Sequence, residues 1–302
     1  MGTVEHLGRG AGRISGDLGN LVPSPRPRPR TAGRTAPPRQ QRDPVRTAVR
    51  TFGEVLITLG LVVLLFVVYE VYWTDLVSAG KQRDVTAQLD DRWKGEADPQ
   101  RVEHFDGLGE GDGFAKMYIP AFGADFGFTI VEGTSAASLD IGPGHYTDTA
   151  YPGALGNFAV AGHRTGKGSP FNDINLINSC DAIIVETEFN WYVYRMMPKA
   201  EEKADWANTK GKDPKCEGVL LGGQYEGVVG QEIVSPSQGE VVAPIPNKPD
   251  AVPTAGDEAA LMTLTTCHPR FSDKQRLIVH AVLTNQYPKA DGQRPPEFEE
   301  IA

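Results

Sequence analysis

The longest apolar run of the chain lies near its N-terminus, in TFGEVLITLGLVVLLFVVYEVYW. Between Val55 and Trp73 only Thr58 and Glu70 interrupt it. A helix of this length would span roughly 28 Å, close to the hydrocarbon thickness of a bilayer. Aromatic residues gather at its C-terminal end, where a membrane interface favours them. We therefore predict a transmembrane helix over residues 52–73.

A different pattern begins near Phe114, where short runs rich in Val, Ile, Tyr, Phe and Thr are separated by Gly, Pro, Asn or Asp. Such runs predict β-strands joined by turns. Seven or eight of them occur before residue 289, which indicates an all-β fold, an antiparallel barrel or sandwich. The polar run KAEEKADWANTKGKDPKCEG interrupts this rhythm and predicts an insertion.

Composition divides the rest of the chain. Residues 1–48 are rich in Pro and Arg and poor in aromatic residues, so we expect a disordered basic tail. Residues 74–113 combine a helical composition with a Gly/Asp-rich hinge, which predicts a linker between membrane and domain. The domain itself is predicted to cover residues 114–288, followed by a C-terminal tail over residues 289–302.

The net charge of −9 is unevenly distributed. Residues 1–50 hold ten Arg and three acidic residues, about +7, whereas the remainder holds 20 basic and 36 acidic residues, about −16. Neither part is a basic folded domain, so we exclude nucleic-acid binding. Arginines crowd the N-terminal flank of the apolar run, and the positive-inside bias places that flank in the cytoplasm. We expect a single-pass membrane protein whose domain is extracytoplasmic.

Three cysteines follow the apolar run, on the side where disulfides can persist. Cys180 and Cys216 flank the polar insertion, and a bridge between them would hold it to the domain. Cys267, within the strand-like TLTTC, is the better candidate for the remaining thiol. A thiol outside the cytoplasm is exposed to oxidation unless it is sheltered or used, which favours a chemical role for Cys267.

Among the six histidines, His163 has the context of a reactive residue. It ends the apolar strand NFAVAG and begins a polar loop, a position where catalytic side chains are often displayed. His268 follows Cys267 directly, and adjacent residues of a strand point to opposite faces, so we expect it to point away from the sulfur. We place His145 in a loop and His280 in a structural or solvent-facing position.

Two kinds of chemistry would use these residues. A zinc site is disfavoured, because Cys267, His268 and His163 lack an evident fourth ligand and no C-x2-C or H-x3-H pattern occurs; we predict no metal or other cofactor. Nucleophilic catalysis needs a thiolate, an imidazole and a donor for the oxyanion. Arg276 opens the next strand, after a short loop that could bring it to Cys267. Arg270, inside that loop, is interpreted as a solvated charge.

The chain resembles the sortases, the cysteine transpeptidases of Gram-positive cell surfaces, and most of all their actinobacterial class E. The motifs that carry this resemblance are IGPGHYTDTAYPGALGNFAVAGHR, TLTTC and TCHPRFSDKQRLIVHAVL, and it covers roughly residues 114–288. It implies an eight-stranded β-barrel with short helices. It also implies that Cys267 is the nucleophile, His163 the general acid/base and Arg276 the stabiliser of substrate or oxyanion.

The resemblance further implies a reaction and partners. The enzyme would cleave the Thr–Gly bond of an LAxTG- or LPxTG-like sorting signal at the C-terminus of a secreted protein. It would then join the acyl group to an amine of a lipid-linked peptidoglycan precursor or of a pilin. Two alternatives stay open: a thiol protease that uses the same residues, and a non-enzymatic, membrane-tethered barrel that binds metal or peptide.

The arginine-rich flank predicts the topology of the chain, with the N-terminus in the cytoplasm and the domain outside. Protease added to intact, wall-stripped cells should therefore remove the domain, as followed by immunoblotting with an antibody against it. Permeabilised cells provide the control for protease activity. Protection of residues 114–302 in the intact cells would refute this orientation.

Overall fold

The computed structural model describes residues 43–94, 103–290 and 292–300. The predicted basic tail lies outside the described residues as far as residue 42. The chain divides into two compact units, residues 1–55 and 56–302, with the boundary inside the first helix.

Two helices precede the domain. The first, α1 (Pro44–Val68), starts inside the predicted tail at a proline, which the first turn tolerates because an N–H there would have no helical partner. Among the described residues it is the helix that is long and apolar enough to cross a membrane. A π-helical turn, Tyr69–Trp73, joins it to α2 (Thr74–Arg92).

The domain is a β-barrel. Its strands in the described part of the chain are β1 (Gly113–Tyr118), β2 (Phe128–Glu132), β3 (Gly144–His145), β4 (Gly156–Ala161), β5 (Ala182–Glu186), β6 (Asn190–Met196), β7 (Gln231–Val234), β8 (Ala260–His268) and β9 (Gln275–Pro288). Eight of them follow the order β6-β5-β1-β2-β3-β4-β8-β9, and β9 pairs back with β6 to close the ring. β7 pairs with β9 outside this ring. The predicted eight-stranded barrel is confirmed.

The helices of the domain are short, as expected. They are α3 (Ala136–Leu139) and the 3-10 turns Pro120–Phe122, Ile174–Leu176, Ala200–Asn208, Lys210–Lys212, Pro214–Cys216, Gly223–Tyr225, Gly239–Val242 and Pro296–Glu299. Large side chains of the strands fill the barrel, and the fully buried ones include Met117, Ile130, Phe158, Tyr194 and Leu264. Burial of an aliphatic, Met or Phe side chain of this set contributes about 1.5–3 kcal/mol.

Helix α2 packs against the barrel, so the first part of the predicted linker is not a detached stalk. Val85 and Leu89 are buried. The Gln82 side chain donates from Nε2 to the Thr129 carbonyl and accepts from the Thr129 N–H, both at 2.9 Å. Because these are backbone groups of β2, the helix is bound to the sheet by a two-point contact.

The predicted C-terminal tail also packs against the barrel over its described residues. The Phe298 ring lies 5.1 Å from Tyr118 and 5.5 Å from Trp191, between ring centroids. Arg195 on β6 donates to both carboxylate oxygens of Glu300, at 2.9 and 2.7 Å. No local pattern indicates this docking, because the aromatic partner residues are distant along the chain.

Two buried histidines are structural. His145, which we expected in a loop, belongs to β3, and its Nδ1 lies 2.9 Å from Oε2 of Glu132. A strand of two residues has no alternation that could have revealed it. His280 is fully buried, with Nδ1 2.9 Å from Oγ1 of Thr263 and Nε2 3.1 Å from Oε1 of Glu232. Of the two positions expected for His280, the structural one is therefore correct and the solvent-facing one is wrong.

The polar insertion packs against the barrel in a second hydrophobic cluster, in which Trp206 and the two cysteines share contacts with Leu261 of β8 and Val282 of β9. Cys180 and Cys216 are joined in a disulfide, with their Cα atoms 5.0 Å apart. The bridge connects the insertion to the start of β5.

Thiol counting tests this bridge. The non-reduced, denatured protein should show one reactive thiol, that of Cys267, and three after reduction. With the two cysteines 36 positions apart along the chain, the chain-entropy model assigns the bridge about 3–4 kcal/mol. Cys216→Ser should therefore lower the denaturation midpoint. Three reactive thiols before reduction would contradict the prediction.

Candidate active site

Cys267 and Arg276 stand opposite each other on neighbouring strands. In the antiparallel pairing of β8 with β9, they are direct cross-strand partners. Side chains of such partners lie on the same face of the sheet, with Cβ atoms roughly 4.5–5.5 Å apart. The turn between the strands thus brings these two candidates together.

His163 lies at the same end of the sheet, beyond the last residue of β4. This strand runs parallel to β8, and Ala161 pairs with Thr265. The Gly162 N–H extends the pairing by donating to the Thr265 carbonyl at 3.0 Å. His163 lies two residues after Ala161, and Cys267 lies two residues after Thr265. The two residues are therefore at the same height along the neighbouring strands. All three candidates occupy one end of three adjacent strands.

The His163 imidazole is half-buried, and its Nε2 is buried without a hydrogen-bond partner among the described residues. Burial lowers the pKa of His163, the nearby Lys167 charge lowers it further, and Asp140 acts in the opposite direction. Lys167 Nζ lies 2.5 Å from Oδ1 of Asp140. This lysine also lowers the pKa of the Asp140 carboxyl. The neutral imidazole is favoured, with one nitrogen available for proton transfer.

The loop after His163 has an uncommon backbone form. Four successive residues, Gly166–Ser169, have positive φ angles of 66°, 55°, 77° and 40°. Glycine adopts this left-handed form without steric cost, and it supplies two of the four positions. The N–H of Gly168 donates to Oδ1 of Asp75 on α2, at 3.1 Å. Helix α2 therefore supports the loop beside His163.

Cys267 is partly exposed, and it is the cysteine outside the disulfide. Arg276 is half-buried, and its Nη1 donates to the carbonyls of Asp273 at 2.8 Å and Gln275 at 3.1 Å. Both bonds use one nitrogen of a guanidinium that has five N–H donors. Other donors remain to meet a developing negative charge beside the thiol.

Arg164 is a residue that the sequence analysis missed. It is 6% exposed. Its Nη1 lies 2.8 Å from Nδ1 of His268 and 3.4 Å from the Cys267 carbonyl, and Nη2 donates to Oδ1 of Asn175 at 2.8 Å. Its position in the sequence could have revealed it. Arg164 directly follows His163 at a strand end, and adjacent side chains of a strand point to opposite faces.

The contact with Arg164 determines the state of His268. An arginine only donates, so Nδ1 of His268 must accept and is unprotonated. Burial and the arginine charge both lower the pKa of His268. Arg270 is exposed, as expected of a solvated charge, but it is also paired: its Nη2 donates to Oδ1 of Asp173 at 2.8 Å and to the Asn172 carbonyl at 2.9 Å. Its partners lie about a hundred residues upstream, which no local pattern reveals.

A pocket of about 80 Å³ opens beside Arg276, and its lining includes Tyr146, Gln238 and Thr265. The Tyr146 hydroxyl lies 3.0 Å from Oγ1 of Thr265. Thr265 precedes Cys267 by two residues, so both side chains project from the same face of β8. Among the described residues, no group of three or more His, Cys, Asp or Glu side chains could hold a metal.

Comparison with known proteins gives one consistent family. A family model described as the Sortase domain matches residues 117–284. Sortase SrtE1 of Streptomyces coelicolor is 33% identical over 253 residues, which are 81% of this chain and 60% of that protein. Sortase SrtE2 of the same organism is 31% identical over 266 residues, 83% of this chain and 88% of that protein.

Among solved structures, the SrtF sortase from Corynebacterium diphtheriae is 43% identical, with a TM-score of 0.58. The match covers 68% of this chain and all of that one, 100%. The class E resemblance is confirmed by the Streptomyces relatives, and the family model covers more than half of the chain. The chain belongs to the sortase family, whose members are cysteine transpeptidases.

Proposed function

We propose that this protein is a membrane-anchored cysteine transpeptidase. It cleaves the Thr–Gly bond of an LAxTG- or LPxTG-like sorting signal and joins the acyl group to an amine of a cell-wall precursor or pilin. The observation that supports this most is the strand pairing that gathers Cys267, His163 and Arg276 at one end of the barrel. These are the three residues that the family resemblance assigns to catalysis.

In the first half-reaction the Cys267 thiolate attacks the threonine carbonyl carbon, and a C–S bond forms. The carbonyl oxygen becomes an oxyanion, to which the Arg276 guanidinium donates from nitrogens other than Nη1. The C–N bond to glycine then breaks. His163 as imidazolium gives its proton to the departing amine, and a thioester remains.

In the second half-reaction an acceptor amine attacks the thioester carbonyl. Neutral His163 takes a proton from that amine, the C–S bond breaks, and the thiolate of Cys267 is restored with a new amide as product. The first half-reaction leaves a thioester and a neutral imidazole, and the second returns the enzyme to thiolate and imidazolium. Water in place of the amine would give hydrolysis, the chemistry of a thiol protease.

Anchoring would bring these reactants together. If α1 spans the membrane with the barrel outside, the enzyme shares one surface with membrane-held substrates and lipid-linked precursors. Confinement to a surface raises the effective concentration of each partner without any additional contact. The length and apolar character of α1 support this part of the proposal.

Mass spectrometry tests the reaction. The full-length protein in detergent should form a thioester on Cys267 with an LAxTG or LPxTG peptide, and an added amine should convert it to an amide. Hydrolysed peptide as the main product despite saturating amine would instead indicate a thiol protease. No thioester with any peptide would contradict the proposed function.

Four alanine variants test the assigned roles. Cys267→Ala should abolish thioester formation. His163→Ala should lower kcat/KM by roughly 10²–10⁴, because proton transfer is lost, and Arg276→Ala by about 10²–10³, because an oxyanion donor is lost. His268→Ala should cost far less. Circular dichroism checks the fold, and a His268 variant as damaged as the His163 variant would mean that the acid is wrongly assigned.

The pH profile tests the charge around His163. The reaction needs imidazolium and thiolate together, and the lowered pKa of His163 makes that pair scarce at neutral pH. Lys167→Met removes a positive charge that lowers this pKa, so the acid limb of kcat/KM should move to higher pH. The exposed Lys212→Met on the insertion is the control. An acid limb that stays in place, or moves to lower pH, contradicts this account.

A further inference from the structure

The catalytic end of the barrel lies next to the start of α2. The Gly168 N–H, in the loop after His163, donates to Asp75 on the first turn of this helix. Asp75 comes only two residues after Trp73, the last aromatic residue of the predicted membrane interface. Two residues of helix rise about 3 Å. If α1 is the membrane anchor, this loop therefore lies at the level of the bilayer surface.

The loop after His163 and the β8–β9 loop are joined to one another by hydrogen bonds. The Asn172 N–H donates to the Ser169 carbonyl at 3.1 Å, within the loop after His163. Arg270, in the β8–β9 loop, donates to the Asn172 carbonyl and to Oδ1 of Asp173, at 2.9 and 2.8 Å. The first turn of α2, the His163 loop and the β8–β9 loop thus form a connected surface.

This connected surface displays large apolar side chains. Phe271, at the tip of the β8–β9 loop, is 88% exposed, and Leu176, at the end of the other loop, is 58% exposed. Phe271 also has a φ of 64°, which is disfavoured for a residue with a bulky side chain. Neither its exposure to water nor its backbone conformation is explained by the packing of the barrel.

We propose that Phe271 and Leu176 form a membrane-docking face, which rests on the bilayer beside the anchor. This inference rests on the membrane anchoring proposed above. Asp273 and Lys274, the exposed charges that follow Phe271, have opposite sign. Apolar burial therefore provides the contact, and a zwitterionic bilayer suffices. Docking turns the Cys267 end of the barrel towards the surface where lipid-held substrates lie.

Depth-dependent quenching tests the docking face in the full-length protein. In the Cys267→Ala background, a single cysteine replaces Phe271 and carries an environment-sensitive fluorophore, in phosphatidylcholine vesicles with or without spin-labelled lipid. Val252→Cys is the matched control, because it is 87% exposed and lines a pocket at the opposite end of β8. Leu64→Cys, within α1, reports whether the helix is in the bilayer.

The fluorophore at residue 271 should lose emission when the vesicles contain spin-labelled lipid, whereas the fluorophore at residue 252 should not. Loss at Leu64 without loss at Phe271 overturns the docking face and leaves the anchor intact. No loss at Leu64 removes the anchor and the docking face together. Equal loss at Phe271 and Val252 would mean nonspecific adhesion and also contradicts the proposal.

An activity measurement separates docking from peptide binding. Phe271→Asn, which suits a positive φ, should slow transpeptidation of a lipid-anchored sorting-signal peptide in vesicles. It should leave the turnover of a soluble peptide in detergent unchanged, as should the control Val252→Asn in both assays. Loss of both activities in the Phe271 variant would assign this residue to peptide binding and contradict the docking role.

Discussion

The pairing of β8 with β4 on one side and β9 on the other is the constraint on which the candidate site depends. The parallel register sets His163 level with Cys267, and the antiparallel register sets Arg276 opposite it. Side chains alternate along a strand, so a slip of one residue would turn the thiol to the other face of the sheet. The chemistry proposed for this chain therefore requires one register at both interfaces.

A buried polar chain crosses all three strands and holds that register. Thr263 on β8 donates to Oδ1 of Asn157 on β4 at 2.8 Å, and its hydroxyl lies 2.9 Å from Nδ1 of His280 on β9. Glu232 on β7 continues the chain, and its bond to His280 lowers the pKa of the carboxyl. A buried polar group left unpaired costs about 1–3 kcal/mol. A slipped register would break several of these bonds together.

The sequence predicted the parts of the fold that depend on local pattern. Alternation revealed the long strands, and the apolar run revealed α1, while the family motifs pointed to Cys267, His163 and Arg276. The sequence did not reveal contacts between residues that lie far apart along the chain. Arg164 was overlooked because its contacts with Cys267 and His268 lie across the sheet. The docking of α2 was missed because its composition is that of any polar helix, and its attachment rests on the backbone of β2.

The central claim is that the thiol of Cys267 and the imidazole of His163 form one coupled site. Nuclear magnetic resonance titration of the His163 ring, in the native protein and in Cys267→Ala, measures this directly. Neighbouring ionisable groups titrate in coupled steps. We expect a His163 titration curve with two steps in the native protein and a single step once the thiol is gone. The same curve in both proteins would contradict it.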